Sequence, residues 1–202
     1  MKKLSLRVLL LLLCGFWFFA SAGSAYDFEN NQFVFVGNVT RQDSQTGGYV
    51  INDSGQDYTL SSAQLKDFKN LDSILAKAVK SEDKSVRFSG VWTMVNDKKE
   101  LDPANLKAEI INDAKDCPEK TFSRHTITGT FLGTDCGDFC YTTVKDNDGK
   151  EITMYGDTEE IFGTKPGIRV TVDYEVAQAW LDTGDWGMCV VSEFFVSGKE
   201  VK

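Results

Sequence analysis

The stretch VINDSGQDYTL, residues 50–60, returns later in the chain as VKDNDGKEITM, residues 144–154. Each stretch begins with an apolar residue, passes through a turn rich in Asp, Asn and Gly, and continues into alternating apolar and polar residues. The turn glycines are Gly55 and Gly149, which lie 94 residues apart. Because glycine supplies the positive φ that tight turns need, each stretch predicts a β-hairpin.

Two further matches lie outward from these hairpins. VRF at 86–88 resembles VTV at 170–172, and AEII at 108–111 resembles SEFF at 192–195, both at a shift of 84 residues. The drop in shift falls between Leu60 and Val86, where the first copy has a longer helical segment. A fixed order of strand-like segments in two copies predicts one small fold duplicated in tandem, with domains at residues 26–114 and 115–202.

Each copy has the order strand, strand, strand, helix, strand, strand. In the first copy the predicted helix covers residues 62–80, with Ser61 and Gln64 spaced as a capping box. In the second copy a short helical turn has Asp157 as its N-cap and stops at Gly163. This order is typical of a five-stranded Greek-key barrel with a helix between strands three and four. We therefore predict a mainly β protein of two tandem five-stranded OB-like barrels.

Residues 1–25 have the pattern of a secretory signal peptide. Three basic residues precede an apolar run at 8–20, and small residues follow. The run is shorter than the roughly 18–20 residues that a membrane-spanning helix needs. Cleavage sites are available after Ala22 and after Ala25, and we expect the mature chain to begin near Tyr26. The prediction is a periplasmic or secreted bacterial protein with no membrane span after cleavage.

The charge of the mature chain argues against nucleic-acid binding. Removing residues 1–25 takes away three of the 22 basic residues and none of the 30 acidic ones, which leaves 19 against 30. Such a chain repels phosphate backbones, and neither half has a basic patch. We expect no nucleic-acid partner.

A resemblance to a known family is carried by YTTVKDNDGKEI at 141–152 and PGIRVTV at 166–172. These stretches resemble the small secreted bacterial OB-fold proteins of the cell envelope. The resemblance covers most of the second copy and, more loosely, the first. It implies the barrel fold and an envelope location, and it implies no shared catalytic residues.

Four cysteines remain after the leader: Cys117, Cys136, Cys140 and Cys189. An even number in an exported chain favours disulfides, and four cysteines allow three pairings. Cys136 and Cys140 could close a hairpin and leave Cys117 to reach Cys189. Alternatively, Cys136 or Cys140 could pair with Cys189, because the fifth strand of such a barrel lies near the first. A different hypothesis is a thiol- or metal-dependent protein that uses Cys136, Cys140 and Cys189, with His125 as a further ligand.

A group of aromatic residues in the second copy is the candidate ligand site. Barrels of this type bind ligands over strands two and three and the adjacent loops. Exposed rings there would suit a sugar, a peptide or a cation, whereas buried rings would fill the core or the contact between copies. The candidates are Phe139, Tyr141, Tyr155, Trp180 and Trp186.

No arrangement in the sequence is typical of an enzyme. The single histidine has no Gly-x-Ser-x-Gly partner, and the Asp/Asn-rich turns fit hairpins better than calcium loops. We expect a non-catalytic binding or adaptor module without a cofactor, whose partner is a small ligand or a protein.

Overall fold

The computed structural model describes residues 25–41, 47–81, 84–184 and 186–201, so the predicted leader, apart from Ala25, lies outside the described residues. The protein is mainly β and has two sheets, one in each predicted domain. We call residues 26–114 the first unit and residues 115–202 the second unit.

The first unit is an open antiparallel sheet of seven strands, ordered β4-β3-β2-β5-β6, with β1 beside β2 and β7 beside β5. Its elements are β1 Tyr26–Asp27, β2 Gln32–Arg41, β3 Gly48–Asp53, β4 Gln56–Ser61, α1 Ser62–Leu65, α2 Lys69–Val79, β5 Val86–Val95, β6 Lys98–Leu101 and β7 Lys107–Ile110.

The second unit is a closed barrel in the order β10-β12-β11-β8-β9. Its ladders are antiparallel except for the parallel pair β10–β12. A short helix lies between the third and fourth strands, as predicted. The elements are β8 Lys120–Cys136, β9 Cys140–Asp146, β10 Glu151–Tyr155, α3 Glu159–Phe162, β11 Arg169–Asp182 and β12 Gly187–Glu200.

The prediction of two closed barrels therefore holds only for the second unit. In the first unit the predicted strands keep the same neighbours, but no ladder joins β4 to β7 among the described residues. The core there is covered by α2, which contacts β2 and β7 and buries Leu71, Leu75 and Ala78. A hairpin that the predicted five-strand order did not include adds β6 beside β5. Its turn residues Asn96 and Asp97 both have positive φ, which these residue types tolerate.

Matching glycines mark equivalent points of the two units. Gly37 faces Val86 across β2 and β5, and Gly129 faces Val170 across β8 and β11. A Cβ on Gly37 would lie 2.5 Å from the carbonyl oxygen of Asn52, and one on Gly129 would lie 2.2 Å from that of Lys145. Only glycine allows this approach of neighbouring strands. Val86 and Val170, which the sequence aligns at a shift of 84 residues, thus each face a glycine of this kind, and the tandem duplication stays a prediction.

The β3–β4 and β9–β10 hairpins differ by one residue in the length of the turn. Ile51 faces Tyr58 in the first unit, whereas Val144 faces Ile152 in the second. The shift of 94 thus holds for the strand after the turn, while the strand before it is shifted by 93. Since successive strand residues point to opposite faces, this adjustment keeps Ile51 and Val144 in their respective cores.

The proposed match between residues 108–111 and 192–195 is wrong in register. Val86 faces Ile110, but the equivalent Val170 faces Glu200 rather than Phe194. The reason is that β11 and β12 pair over a long stretch. More residues therefore separate Val170 from its partner than separate Val86 from its partner.

Both predicted helices form with altered limits. The capping box of Ser61 and Gln64 is present at α1, and the helical segment is then interrupted at Phe68 before α2 begins. The N-cap of α3 is Thr158 rather than Asp157, although the Asp157 side chain still accepts a hydrogen bond from the Glu159 amide. Gly163 ends this helix with φ 68°, as expected.

The two units share an apolar contact. Val34 of β2 is buried with Val176 and Val191 of the second unit, and Tyr26 and Phe122 pack against them. Both faces of β2 are therefore covered, one by the core of its own sheet and one by the barrel.

Candidate functional site

The four cysteines form two disulfides. Cys117, in the linker between β7 and β8, is bonded to Cys189 of β12, with their Cα atoms 5.8 Å apart. Cys136 is bonded to Cys140 across the β8–β9 turn, with Cα atoms 4.0 Å apart. Of the pairings that the sequence left open, this is the one with a hairpin bridge. Disulfides are typical of oxidising compartments, which fits a protein outside the cytoplasm.

Four of the five predicted aromatic residues lie together at one end of the barrel. Tyr155 stands at the centre: its ring centroid lies 4.7 Å from that of Tyr141 and 6.0 Å from that of Phe139. The ring of Phe139 is 6.0 Å from Trp186, with the planes at 86° to each other. A fifth ring, Phe194, stacks on Tyr155 at 5.3 Å. We call these five residues the aromatic cluster.

The aromatic cluster has a buried base and an exposed edge. Tyr155 is 6% exposed, whereas Trp186 is 46% exposed. Burial raises the pKa of Tyr155 well above its usual value, so its phenol stays neutral. Rings that are fixed below and open above form a surface on which a ligand can stack.

Trp180, the fifth candidate, belongs to another part of the molecule. It packs beside the Cys117–Cys189 disulfide, together with Ile111 and Val36 of the first unit. Its indole ring also covers Gly187, where a Cβ would lie 2.5 Å from ring atoms. The structure therefore gives Trp180 a packing position at the junction of the units, and it does not join the aromatic cluster.

Three threonine hydroxyls form a network in the strands beside the aromatic cluster, and two of them, Thr142 and Thr158, are fully buried. The Thr142 hydroxyl lies 2.9 Å from that of Thr158 and donates to the Gly156 carbonyl at 2.9 Å. The Thr134 hydroxyl lies 2.9 Å from that of Thr158. These contacts tie β8, β9 and the start of α3 together. The sequence predicted neither this network nor the place of Phe194 in the cluster. Phe194 does lie in SEFF at 192–195, one of the stretches matched between the two copies.

The rim of the aromatic cluster is acidic. Asp135 lies directly opposite Tyr141 in the β8–β9 ladder, and Asp138 precedes Phe139 in the turn. Asp157 follows β10, and its carboxylate lies within 4.8 Å of the sulfurs of Cys136 and Cys140. All three carboxylates are exposed. Negative side chains beside aromatic faces favour a positively charged ligand.

The same region contains the one metal-like grouping found among the described residues, formed by Cys136, Cys140 and Asp157. Both sulfurs are bonded to each other, and a disulfide lacks the thiolates that bind zinc. Cys189 is held by Cys117 instead. His125 stacks on Tyr174 and its Nε2 atom lies 2.8 Å from the Ser123 hydroxyl, so it does not join this group.

Two surface cavities are lined mainly by other residues, although the smaller one shares Phe194 with the aromatic cluster. The larger, of about 730 Å³, is a groove in the first unit where α2 begins, lined in part by Phe68, Leu71, Ile74 and Leu106. The smaller, of about 410 Å³, lies beside the barrel and is lined in part by Glu119, Thr121, Gln178 and Phe194. The groove is lined by residues of both charge signs. The aromatic cluster, with its contacting rings and acidic rim, is the better candidate site.

Comparison with known proteins adds no family. No protein-family model matches the chain, and no curated protein sequence matches it. Within the described ranges, none of the helices has the length and apolar character to cross a bilayer.

Proposed function

We propose that this chain is an exported, non-catalytic binding module of the bacterial cell envelope, built from two OB-like units. Its ligand would meet the aromatic cluster of the second unit. The observation that carries the proposal is the half-exposed Trp186 ring beside the perpendicular ring of Phe139. The barrel strand order supports an OB-like unit, and the two disulfides support export.

The chemistry around these rings favours an organic cation. An exposed indole face with a second ring beside it is a component of the aromatic cages that bind quaternary ammonium groups. Asp135, Asp138 and Asp157 add negative charge around it. The formal net charge of the whole chain, −8, has the same sign. An anionic ligand would be repelled at this end of the barrel.

A direct test is a titration with tetramethylammonium, followed by tryptophan fluorescence and NMR. We expect Trp186→Ala to weaken binding roughly tenfold, since one cation–π contact is worth about 1–2 kcal/mol. Tert-butanol is a neutral molecule of similar shape, and it should bind more weakly than the cation.

Trp180→Phe is the matched control, because Trp180 packs at the junction of the units and leaves the aromatic cluster intact. Equal binding of tetramethylammonium to wild type and Trp186→Ala would show that the aromatic cluster is not the binding site. Preferential binding of a neutral sugar, lost in Trp186→Ala, would keep the site and overturn the cation assignment.

The alternative is a thiol- or metal-dependent envelope protein that uses Cys136, Cys140 and Cys189. The observation in its favour is that the Asp157 carboxylate lies close to the Cys136 and Cys140 sulfurs, which a reduced pair would offer to a metal. Titration of free thiols and metal analysis of the exported protein distinguish the two functions. If the exported protein contains no free thiol and no bound metal, the thiol- or metal-dependent function is excluded.

A further inference from the structure

A buried carboxyl group at the end of β3 has no hydrogen-bond partner. Asp53 is 1% exposed, and neither of its side-chain oxygens is bonded, a state found at no other buried side chain among the described residues. It lies on the same face of β3 as Tyr49 and Ile51, which face the core. Burying an unpaired carboxylate costs several kcal/mol, so such a group requires an explanation.

The second unit shows that the hairpin itself does not require this state. Asp146 ends β9 at the position equivalent to Asp53, one residue after the carbonyl that approaches the matching glycine. The Asp146 carboxylate accepts hydrogen bonds from the backbone N–H groups of Asp148 and Lys150, at 2.9 and 2.8 Å. Asp53 thus lacks the hydrogen-bond donors that the equivalent Asp146 has.

The start of the described chain lies along the same edge of β2 as the end of β3, because Tyr26 faces Val34 and Asn52 faces Asn38. Ala25 packs against the core of the first unit. Burial raises the pKa of Asp53 to about 7, and the nearby Ala25 backbone has a smaller, opposing effect, although neither carboxyl oxygen has a partner within normal hydrogen-bond geometry. The following residue, Tyr26, pairs with Val34 of β2, and its hydroxyl donates to Glu193 of β12. The backbone at Tyr26 is therefore held in place by both units.

Ala25 is also the last residue of the leader predicted from the sequence, where GSA at 23–25 offers the small residues that leader peptidases accept. Hydrolysis of the bond after Ala25 adds one water molecule. The hydroxyl goes to the Ala25 carbonyl carbon, and the proton goes to the Tyr26 nitrogen. At neutral pH the products are a carboxylate on the released leader and an ammonium group on Tyr26.

We propose that the Ala25–Tyr26 bond is the processing site, and that the ammonium group created on Tyr26 becomes the missing partner of the Asp53 carboxylate. The inference rests on the leader and is independent of the aromatic cluster. The Tyr26 nitrogen lies one residue beyond the Ala25 amide, and the departure of Ala25 frees the space beside the carboxyl. A buried charge that gains an opposite charge in contact is stabilised, whereas the same charge left alone is not. Removal of the leader would thereby fix the first unit in its final form.

The test begins with export of the full chain from a bacterium and N-terminal sequencing of the product. We expect Tyr26 as the first residue, and a start at Gly23 would overturn the proposal. The pKa of the Tyr26 amine is then measured from the pH dependence of its acylation. Pairing with Asp53 should raise it above the usual 7.7–8.0, and a rise of one unit slows labelling near pH 7 about tenfold.

Asp53→Asn should restore ordinary labelling, while Asp146→Asn, the change at the equivalent position of the second unit, should leave the slow labelling unchanged. If Asp53→Asn does not accumulate as folded protein, the pKa of the Tyr26 amine in the wild type is by itself the test of the pairing. An ordinary value in the wild type would overturn the pairing, even with Tyr26 as the first residue.

Discussion

Asp53 and Asp146 show how one residue type behaves in two environments of the same molecule. The Asp146 carboxylate completes its own turn, and it is partly open to water. Asp53 is enclosed by the first unit, where burial raises its pKa to about 7. A single aspartate can therefore make the stability of the first unit depend on pH near neutrality.

We predict this pH dependence for a chain in which residue 25 is still joined to Tyr26. The native state keeps a proton on Asp53 that the unfolded chain releases near pH 3.8, so the free energy of unfolding falls as pH rises from about 4 to about 7. The fall amounts to ~4 kcal/mol, at about 1.4 kcal/mol per pKa unit. Tyr58, the nearby phenol, stays neutral throughout, because burial and the charges of Asp53 and Asp27 raise its pKa to about 12.

Urea unfolding of wild type and Asp53→Asn between pH 4.5 and 8 measures the effect as a difference, which cancels the other titrating groups. In a chain that begins at Tyr26 the pH-dependent fall should be absent, since the ammonium group would stabilise the charged carboxylate. Parallel pH profiles for wild type and Asp53→Asn in the extended chain would contradict this prediction.

At the scale of elements, the second unit is distinguished by its long strands. β8, β11 and β12 are each longer than any strand of the first unit. The Cys136–Cys140 bridge closes the β8–β9 turn, and the Cys117–Cys189 bridge joins the linker to β12. The first unit has no cysteine among residues 26–114, and its core includes the apolar stripe of α2 instead.

We expect the two disulfides to contribute unequally to stability. The Cys117–Cys189 bridge spans 72 residues and the Cys136–Cys140 bridge spans 4. A longer closed loop removes more freedom from the unfolded chain, so loss of the first should cost about 4 kcal/mol and loss of the second about 2 kcal/mol. The measurement is chemical unfolding of the Cys117→Ser/Cys189→Ser and Cys136→Ser/Cys140→Ser double variants. A larger loss of unfolding free energy in Cys136→Ser/Cys140→Ser than in Cys117→Ser/Cys189→Ser would show that loop length does not govern the two contributions.

At the scale of the whole molecule, the two units are joined by apolar and polar contacts. Val34 packs with Val176 and Val191. Beside them, Arg87 donates to the buried Gln178 side chain at 2.8 Å, and Gln178 donates to the Pro118 carbonyl at 2.7 Å. An interface of this kind couples the unfolding of one unit to that of the other.

Val34→Thr tests this coupling, because it keeps the side-chain shape and places a hydroxyl in the apolar contact. The cost should be about 1–3 kcal/mol, the penalty for burying an unpaired hydroxyl. Unfolding followed by circular dichroism and by fluorescence should then show two transitions in place of one. Val91→Thr is the matched control on β5, where the valine is 37% exposed, and it should leave both stability and cooperativity unchanged. A single unshifted transition in Val34→Thr would mean that the interface contributes little.

Local chemistry made much of this protein predictable. The hairpin turns, the capping box at Ser61 and the helix stop at Gly163 depend on residues close in sequence, and all three are present in the structure. The strand order of the second unit follows from the order of apolar runs and turns. The candidate aromatic residues were found in the same way, because they flank the turns of one hairpin and one ribbon.

What the sequence could not supply depends on contacts between distant segments. Closure of a barrel requires two edge strands to meet, and a packed helix and an added hairpin alter that outcome in the first unit without a clear local signal. Trp180 and Trp186 lie six residues apart on one ribbon, yet one is packed between the units and the other is open to solvent. The sequence alone therefore determined the elements, the turns and the mainly β class, since these arise from short-range conformational preferences. Only the tertiary structure decided which rings meet, which cysteines bond and which carboxyl group is left without a partner, because burial and pairing are properties of the assembled chain.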